Sequence, residues 1–166
     1  MTARRRPDAL AESGWRALAA EQAGAITREQ LLGTGVSRAV VENRLSSGRW
    51  QTVFPGVYAT FTGPVPASTM AWAVLLHAGA GAALAGDTAL WLWGVLPAPP
   101  GIVTVHVPND RKVVPVPGAH VVRRRRLDDF VHPSAQPRRI RLEDAVLDVA
   151  AQSADEARAV DVVLRA

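Results

Sequence analysis

The side chains best suited to reading a nucleic-acid duplex lie between Thr27 and Gln51: Thr27, Arg28, Ser37, Arg38, Asn43, Arg44, Arg49 and Gln51. Asparagine can pair donor and acceptor with adenine. Arginine offers two parallel N–H groups to guanine or phosphate, and Ser, Thr and Gln reach backbone oxygens. This is a set for binding, with no group placed to make or break a bond. A second cluster, Arg123, Arg124, Arg125 and Arg126, with Arg138 and Arg139 close behind it in the chain, forms a candidate second basic surface for phosphate. The plainer reading of that cluster is a strand end whose alternate arginines face opposite ways, one pair meeting Asp128 or Asp129.

Catalytic patterns are sparse. A metal-dependent nuclease needs two or three carboxylates and a lysine. The one lysine is Lys112, in Asp110-Arg111-Lys112. No second acid is expected on a neighbouring strand, because Asp87 reads as a helix cap. His77, His106, His120 and His132 lack metal-ligand spacing. Glu143, Asp144 and Asp148 read as a wet helix face opposite Leu142, Ala145, Val146 and Val149. No serine sits in a nucleophile elbow, no glycine loop cradles phosphate, and the absence of cysteine removes thiolate chemistry. The expectation is a protein that is not an enzyme, with no cofactor and no metal.

The elements that must position the first set are legible. Thr27 is a helix N-cap with Gln30 three residues on, a capping-box pattern. Leu31 and Leu32 give this short helix its contacts, and Gly33-Thr34-Gly35 ends it. Ser37 caps a second helix from Arg38 to about Ser47, stopped by Gly48. Two helices joined by a short glycine-bearing turn predict a helix-turn-helix. On the second helix Val36, Val40, Val41 and Leu45 should pack inward, while Ala39, Glu42, Asn43 and Ser46 face out with Arg38 and Arg44 at the margins. Trp50, Val53, Val57 and Tyr58 around Pro55-Gly56 predict a two-stranded wing. Upstream, Leu10, Ala11, Trp15, Leu18 and Ala19 mark a helix from Asp8 to about Ala23, and Met1–Pro7 reads as a flexible basic arm.

Thr62-Gly63-Pro64-Val65-Pro66 is the clearest boundary, predicting a winged domain over residues 8–61 and a second domain over 67–166. In the second, Ser68 should cap a helix to about Ala78 and Asp87 another from Thr88 to Gly94. Strands are expected at Ile102–Val107, Val113–Val116 (an edge, because of Pro115) and Ala119–Arg124, with a short one at Arg139–Arg141. Helices follow at Glu143–Ala151 and Ala154–Arg165. The fold class is α+β: an N-terminal winged helix-turn-helix followed by a small α+β domain with a short sheet flanked by helices. Met70–Gly86 is apolar enough to imitate a membrane span, but its glycines, His77 and Asp87 favour a buried helix and a turn. The chain is read as cytoplasmic, without a membrane partner. Net charge is +4, and residues 1–63 hold eight Lys and Arg against five Asp and Glu. This is modest support for an acidic partner.

Ile26 to Tyr58 as a whole resembles the N-terminal domain of AbiEi-type antitoxins of type IV toxin–antitoxin systems. Ser47-Gly48-Arg49-Trp50-Gln51 and Gly56-Val57-Tyr58 match most closely. Ala83–Gly94 and Arg141–Ala150 look like the middle region of actinobacterial relatives. The resemblance implies operator binding to double-stranded DNA through the winged domain, repression of the protein's own operon and neutralisation of a nucleotidyltransferase-like toxin. Many relatives carry a C-terminal domain resembling Vsr-like nucleases, and a chain stopping at Ala166 is expected to lack it. The leading expectation is a DNA-binding transcriptional regulator of antitoxin type. The alternatives are the non-catalytic N-terminal portion of a Vsr-like endonuclease-family protein, or a protein-interaction module without DNA affinity. Operator sequence and oligomeric state are not encoded in any motif.

Overall fold

A computed structural model of the chain describes residues 8–153 and 155–166. The basic arm expected at Met1–Pro7 lies outside the described residues. The chain divides into two compact units, Met1–His77 and Ala78–Ala166, each with its own apolar cluster.

The first unit runs α1 (Asp8–Glu21), β1 (Ala25–Thr27), α2 (Arg28–Gly33), α3 (Arg38–Ser46), β2 (Gln51–Phe54), β3 (Val57–Ala59) and α4 (Ala67–Ala78). Trp15, Ala19, Ile26, Leu31, Val36, Val41, Trp50 and Tyr58 form its core. The chain leaves α1 through Ala23 and Gly24, both at positive φ (52° and 86°). A Cβ on Gly24 would stand 2.7 Å from the Phe61 ring, so the reversal needs glycine twice over: for its backbone and for space. The three strands form an antiparallel sheet in the order β1-β3-β2. The expected two-stranded wing forms as the β2–β3 hairpin, and β1 joins it as a third strand that was not expected. Ala25 and Ile26 are both fully buried, which removes the in–out alternation by which a strand is normally recognised.

The cap at Thr27 forms as expected. Its hydroxyl accepts from the Gln30 amide at 3.0 Å, and the Gln30 side chain accepts from the Thr27 amide at 2.9 Å. Gln30 is held in turn by a reciprocal amide pair with buried Gln22. Ser37 caps α3 by accepting from the Val40 amide. Ser68, by contrast, lies within the first turn of α4, which starts at Ala67 and bonds back to the Pro66 carbonyl. The helix also belongs to the winged unit. The Thr69 hydroxyl donates to the Ala23 carbonyl at 2.6 Å, and the Phe54 and His77 rings are 5.5 Å apart. These ties carry the division past Thr62–Pro66 to the end of α4.

The second unit contains β4 (Ala83–Leu84), α5 (Gly86–Leu92), β5 (Val103–Pro108), β6 (Ala119–Arg124), a 3-10 turn (Leu127–Asp129), α6 (Leu142–Gln152) and α7 (Glu156–Arg165). Its sheet has the order β4-β5-β6, with β4 antiparallel and β6 parallel to β5. Met70–Gly86 is not one helix and a turn: α4 ends at Ala78, and buried Ala83 and Leu84 form β4. Asp87 is not the cap of α5. The cap position falls on Ala85, without a side-chain hydrogen bond, and Asp87 sits in the first turn. Val113–Val116 joins no ladder. Arg139–Arg141 is reduced to single bridges, Leu84 with Arg139 and Val131 with Ile140. No described helix is long and apolar enough to cross a membrane.

Gly24→Ala is expected to destabilise the winged unit by more than about 1 kcal/mol, since both the positive φ and the Phe61 ring oppose a methyl group. Urea unfolding of the full chain, followed at Trp15 by NMR, checks this; an unchanged midpoint would contradict the packing described.

Candidate nucleic-acid interface

The outward face of α3 takes shape from its buried one. Val41 is 2% exposed and Val36 7%, and with half-buried Leu45 they hold the helix on the core. That leaves Arg38, Ala39, Glu42, Asn43 and Ser46 exposed. Val40, expected to pack inward, is 39% exposed. The arc occupied by Val36, Val41 and Leu45 is too narrow to include it.

The structure separates the predicted binding residues into two groups. Arg38, Asn43 and Arg49 are exposed and, among the described residues, their side chains are engaged by nothing else in the chain. Arg28 is also exposed, and its guanidinium stands 3.9 Å from the Glu42 carboxylate. The Arg28 amide donates to the Gly56 carbonyl at 2.9 Å, which ties the start of α2 to the tip of the wing. Thr27, Arg28, Leu32, Arg38, Pro55 and Gly56 line a shallow open depression of about 550 Å³. Arg49 lies just past the far end of α3. Ser37 contributes its hydroxyl to the cap but stays exposed.

Thr27, Arg44 and Gln51 have internal roles. Thr27 is held in the capping box. The Gln51 amide donates to the Phe61 and Gly63 carbonyls. Arg44 turns inward: its guanidinium lies 4.9 Å from the ring centroids of both Trp15 and Trp50 and meets the Glu12 carboxylate at 2.7 Å. The two indoles pack edge to face at 4.9 Å. Glu12 also accepts from the Trp15 indole N–H at 3.0 Å and from Arg16 at 2.6 Å. Desolvation works against this carboxylate. The hydrogen bonds from Arg16, Trp15 and Arg44, reinforced by the charge of Arg44, outweigh it and bring its pKa from 4.5 to about 2. Glu12, Trp15 and Arg16 share a helix face at i, i+3 and i+4. That spacing was the available sign of a clamp, but its partner lies 32 residues downstream.

The second basic cluster is largely dispersed. Arg123 donates to the Arg111 carbonyl. Arg124 pairs with Asp148 and lies 3.7 Å from the centroid of the Phe130 ring, so Asp148 is not simply part of a wet face. Arg126 meets Asp129 at 2.7 Å, while Asp128 takes Arg138 instead. Arg139 packs on the Trp93 ring at 4.2 Å, and burial lowers its pKa. Among the described residues Arg125 remains exposed without a side-chain partner. Among the described residues no three His, Cys, Asp or Glu side chains are grouped to hold a metal ion.

A helix-turn-helix whose second helix is exposed on one face, followed by a β-hairpin tied back to the first, defines a winged-helix unit. Residues 16–60 match the family model described as "Transcriptional regulator, AbiEi antitoxin". The match spans the whole helix-turn-helix and the hairpin, and the resemblance read from Ile26–Tyr58 is thereby shown. The winged unit is thus similar to the corresponding part of that family. No curated protein matches the chain. A solved structure described as "Crystal structure of RV2827C protein from Mycobacterium tuberculosis" is similar in fold, with a TM-score of 0.51 and 18% identity. The similarity covers 84% of this chain and 60% of that one, so the chain spans less than two thirds of that protein's length.

Two outcomes follow from the clamp. Arg44→Ala is expected to cost the winged unit about 3 kcal/mol, because it removes the cation packed against both indoles and a partner from Glu12. Denaturant unfolding checks this, and a loss of only a few tenths would show Arg44 to be an ordinary surface arginine. The Glu12 carboxylate binds its proton less readily in the folded state, so its contribution is complete above the ordinary pKa of 4.5 and is lost as pH falls towards about 2. Glu12→Gln should therefore flatten the stability profile across that window; parallel profiles for the two proteins would contradict the assignment.

Proposed function

We propose that the winged unit binds double-stranded DNA and that the protein acts as an operator-binding transcriptional regulator of the antitoxin type. The observation that carries this reading is the exposed face of α3. Asn43 lies near its middle, Arg38 at its start and Arg49 just past its end are free among the described residues, and Arg28, at the start of α2 against the tip of the wing, lines the same depression as Arg38. A nine-residue helix is roughly 13 Å long, and the major groove is about as wide. In this arrangement Asn43 reads base edges. Arg38 reads guanine or phosphate near the helix start, and Arg28 and Arg49 neutralise phosphates on either side. Arg44 and Gln51 act indirectly, by fixing the helix and the wing. The second unit is left for a protein partner, for which a nucleotidyltransferase-like toxin is the reading that the family resemblance supports.

With Arg28, Arg38 and Arg49 as the cations, about three phosphates are neutralised. The logarithm of affinity should then fall by roughly 2 to 3 for each tenfold rise in salt. Fluorescence anisotropy with promoter DNA from the protein's own operon measures the slope. Arg49→Glu should weaken binding to every sequence, whereas Asn43→Ala should change preference among operators with a smaller effect on non-specific binding. No salt-sensitive binding at low ionic strength, or no response to either variant, would overturn the reading.

A further inference from the structure

The second sheet ends on a strand with one side unused. In the order β4-β5-β6, β4 carries the Leu84–Arg139 bridge on its outer side, whereas β6, among the described residues, pairs with β5 alone. The Gly118 carbonyl, just before β6, accepts from the Val103 amide at 2.8 Å. Backbone groups alternate sides along a strand. His120, Val122 and Arg124 therefore turn theirs to β5, and Ala119, Val121 and Arg123 turn theirs outward. The Ala119 amide is taken by the Val116 carbonyl in the preceding turn. The amides and carbonyls of Val121 and Arg123 meet no strand among the described residues.

The segment that leads into β6 leaves this edge open. A groove of about 650 Å³ lies between them, lined by Arg111, Val113 and Pro115 on one side and by all of residues 119–123 on the other. A groove over the face of a strand meets alternate residues; one that meets five in a row runs along the edge. Five strand residues span roughly 17 Å, the length of a short added strand.

The groove's chemistry points to its occupant. Val113, Pro115 and Val121 supply apolar walls, Arg111 and Arg123 supply charge, and among the described residues no carboxylate lines it. The two guanidiniums donate to neutral carbonyls, of Ala78 and of Arg111, and so keep their charge. Exposed Arg125 follows just past the strand's end. A second copy meeting this one edge to edge would bring like charges together. The phosphates of a nucleic acid would answer the arginines but offer no donor to the Val121 and Arg123 carbonyls. An acidic polypeptide in extended form answers both.

We propose that the free edge of β6 is a docking site for an extended acidic segment of a protein partner. The segment adds as a fourth strand, its main chain bonded to Val121 and Arg123 and its carboxylates beside Arg111, Arg123 and Arg125. This surface lies within the second unit and does not depend on DNA binding by the winged unit.

The probe is a capped nine-residue peptide, Glu-Thr-Glu-Thr-Val-Thr-Glu-Thr-Glu, which reads alike in either direction. It is titrated into the full chain while the backbone amides are followed by NMR. Saturable shifts at Val121 and Arg123, slowed solvent exchange of those two amides and a Kd below about 1 mM are expected. The same peptide with lysine for glutamate, and one with every amide N-methylated, should each bind at least tenfold more weakly. Arg123→Glu should weaken the acidic peptide as much. If that variant does not fold, the three peptides on the unaltered chain decide. No saturation up to about 10 mM, equal binding of the lysine or methylated peptide, or undiminished binding by folded Arg123→Glu would each overturn the proposal. So would shifts confined to residues outside 111–125, or a short DNA duplex that shifts the same amides with a lower Kd than the peptide.

Discussion

The arrangement of the winged unit depends on one guanidinium. Arg44 sits on α3 but directs its charge backwards, against Trp15 and Trp50 and onto Glu12. It thereby joins α3 to α1 and to the first residue before the wing. Lysine would not serve equally. A planar guanidinium can face two aromatic rings and still donate to a carboxylate within its own plane, whereas an ammonium is a point charge that resists losing its water. The ion pair is shielded, with Arg44 side-chain exposure at 20% and Glu12 at 33%. Glu12 gains three donors for the water it loses, which is the condition under which such a pair stabilises rather than strains a fold. The outward direction of Arg38 and Asn43 follows from this anchor, because a helix of nine residues with only Val41 deeply buried has little else to set its rotation.

What could be read from the chain beforehand was local. The Thr27–Gln30 box, the Ser37 cap and the Pro55–Gly56 turn each involve residues within three positions of one another, and each formed. What could not be read was set by distant partners. β1 and β4 are strands because Tyr58 and Val105 lie alongside Ile26 and Leu84. Two or three fully buried residues carry no alternation to announce them. Asp87 has the right type for a cap, but Gly86 takes φ 54° beside Thr104, and the cap position moves to Ala85. Arg44 lies at the margin of a helical wheel, from which inward and outward look equally open; Glu12 and two indoles decided the matter. The division between units moved for the same reason, since the Thr69–Ala23 hydrogen bond crosses 46 positions of sequence.

The polyarginine run teaches the complementary lesson about charge. Four consecutive cations suggest a phosphate surface, yet their backbone environments differ. Arg123 and Arg124 still belong to β6 and project from opposite sides of it, one to a carbonyl and one to Phe130 and Asp148. Arg126 takes a left-handed conformation at the entrance to the 3-10 turn, and there it meets Asp129. Arg123, bonded to a neutral carbonyl, and Arg125 keep their charge for solvent, while Arg124 and Arg126 are paired with carboxylates. A formal count would make this the most cationic place in the molecule, while the field outside it is that of a strand end with half its charge offset.

The same reasoning applied to α3 gives the opposite result. Its segment carries only three arginines and a glutamate, a weak signal by count. Removing Arg44 from the tally weakens it further, but the remainder is better placed than the count suggests. Glu42 stands within 3.9 Å of Arg28, so its repulsion of a phosphate is partly offset by a cation that itself borders the wing. Among the described residues Arg38 at the start of α3 and Arg49 just past its end are unpaired, and Asn43 between them is neutral. Few phosphate contacts mean little non-specific affinity. A site of this composition must therefore derive a larger share of its binding from base edges and shape than a densely basic helix does. On the proposed DNA-binding reading, a sparse surface held by an internal arginine suits selective rather than tight binding, with Glu12, Trp15 and Trp50 setting the geometry of the helix that would do the reading.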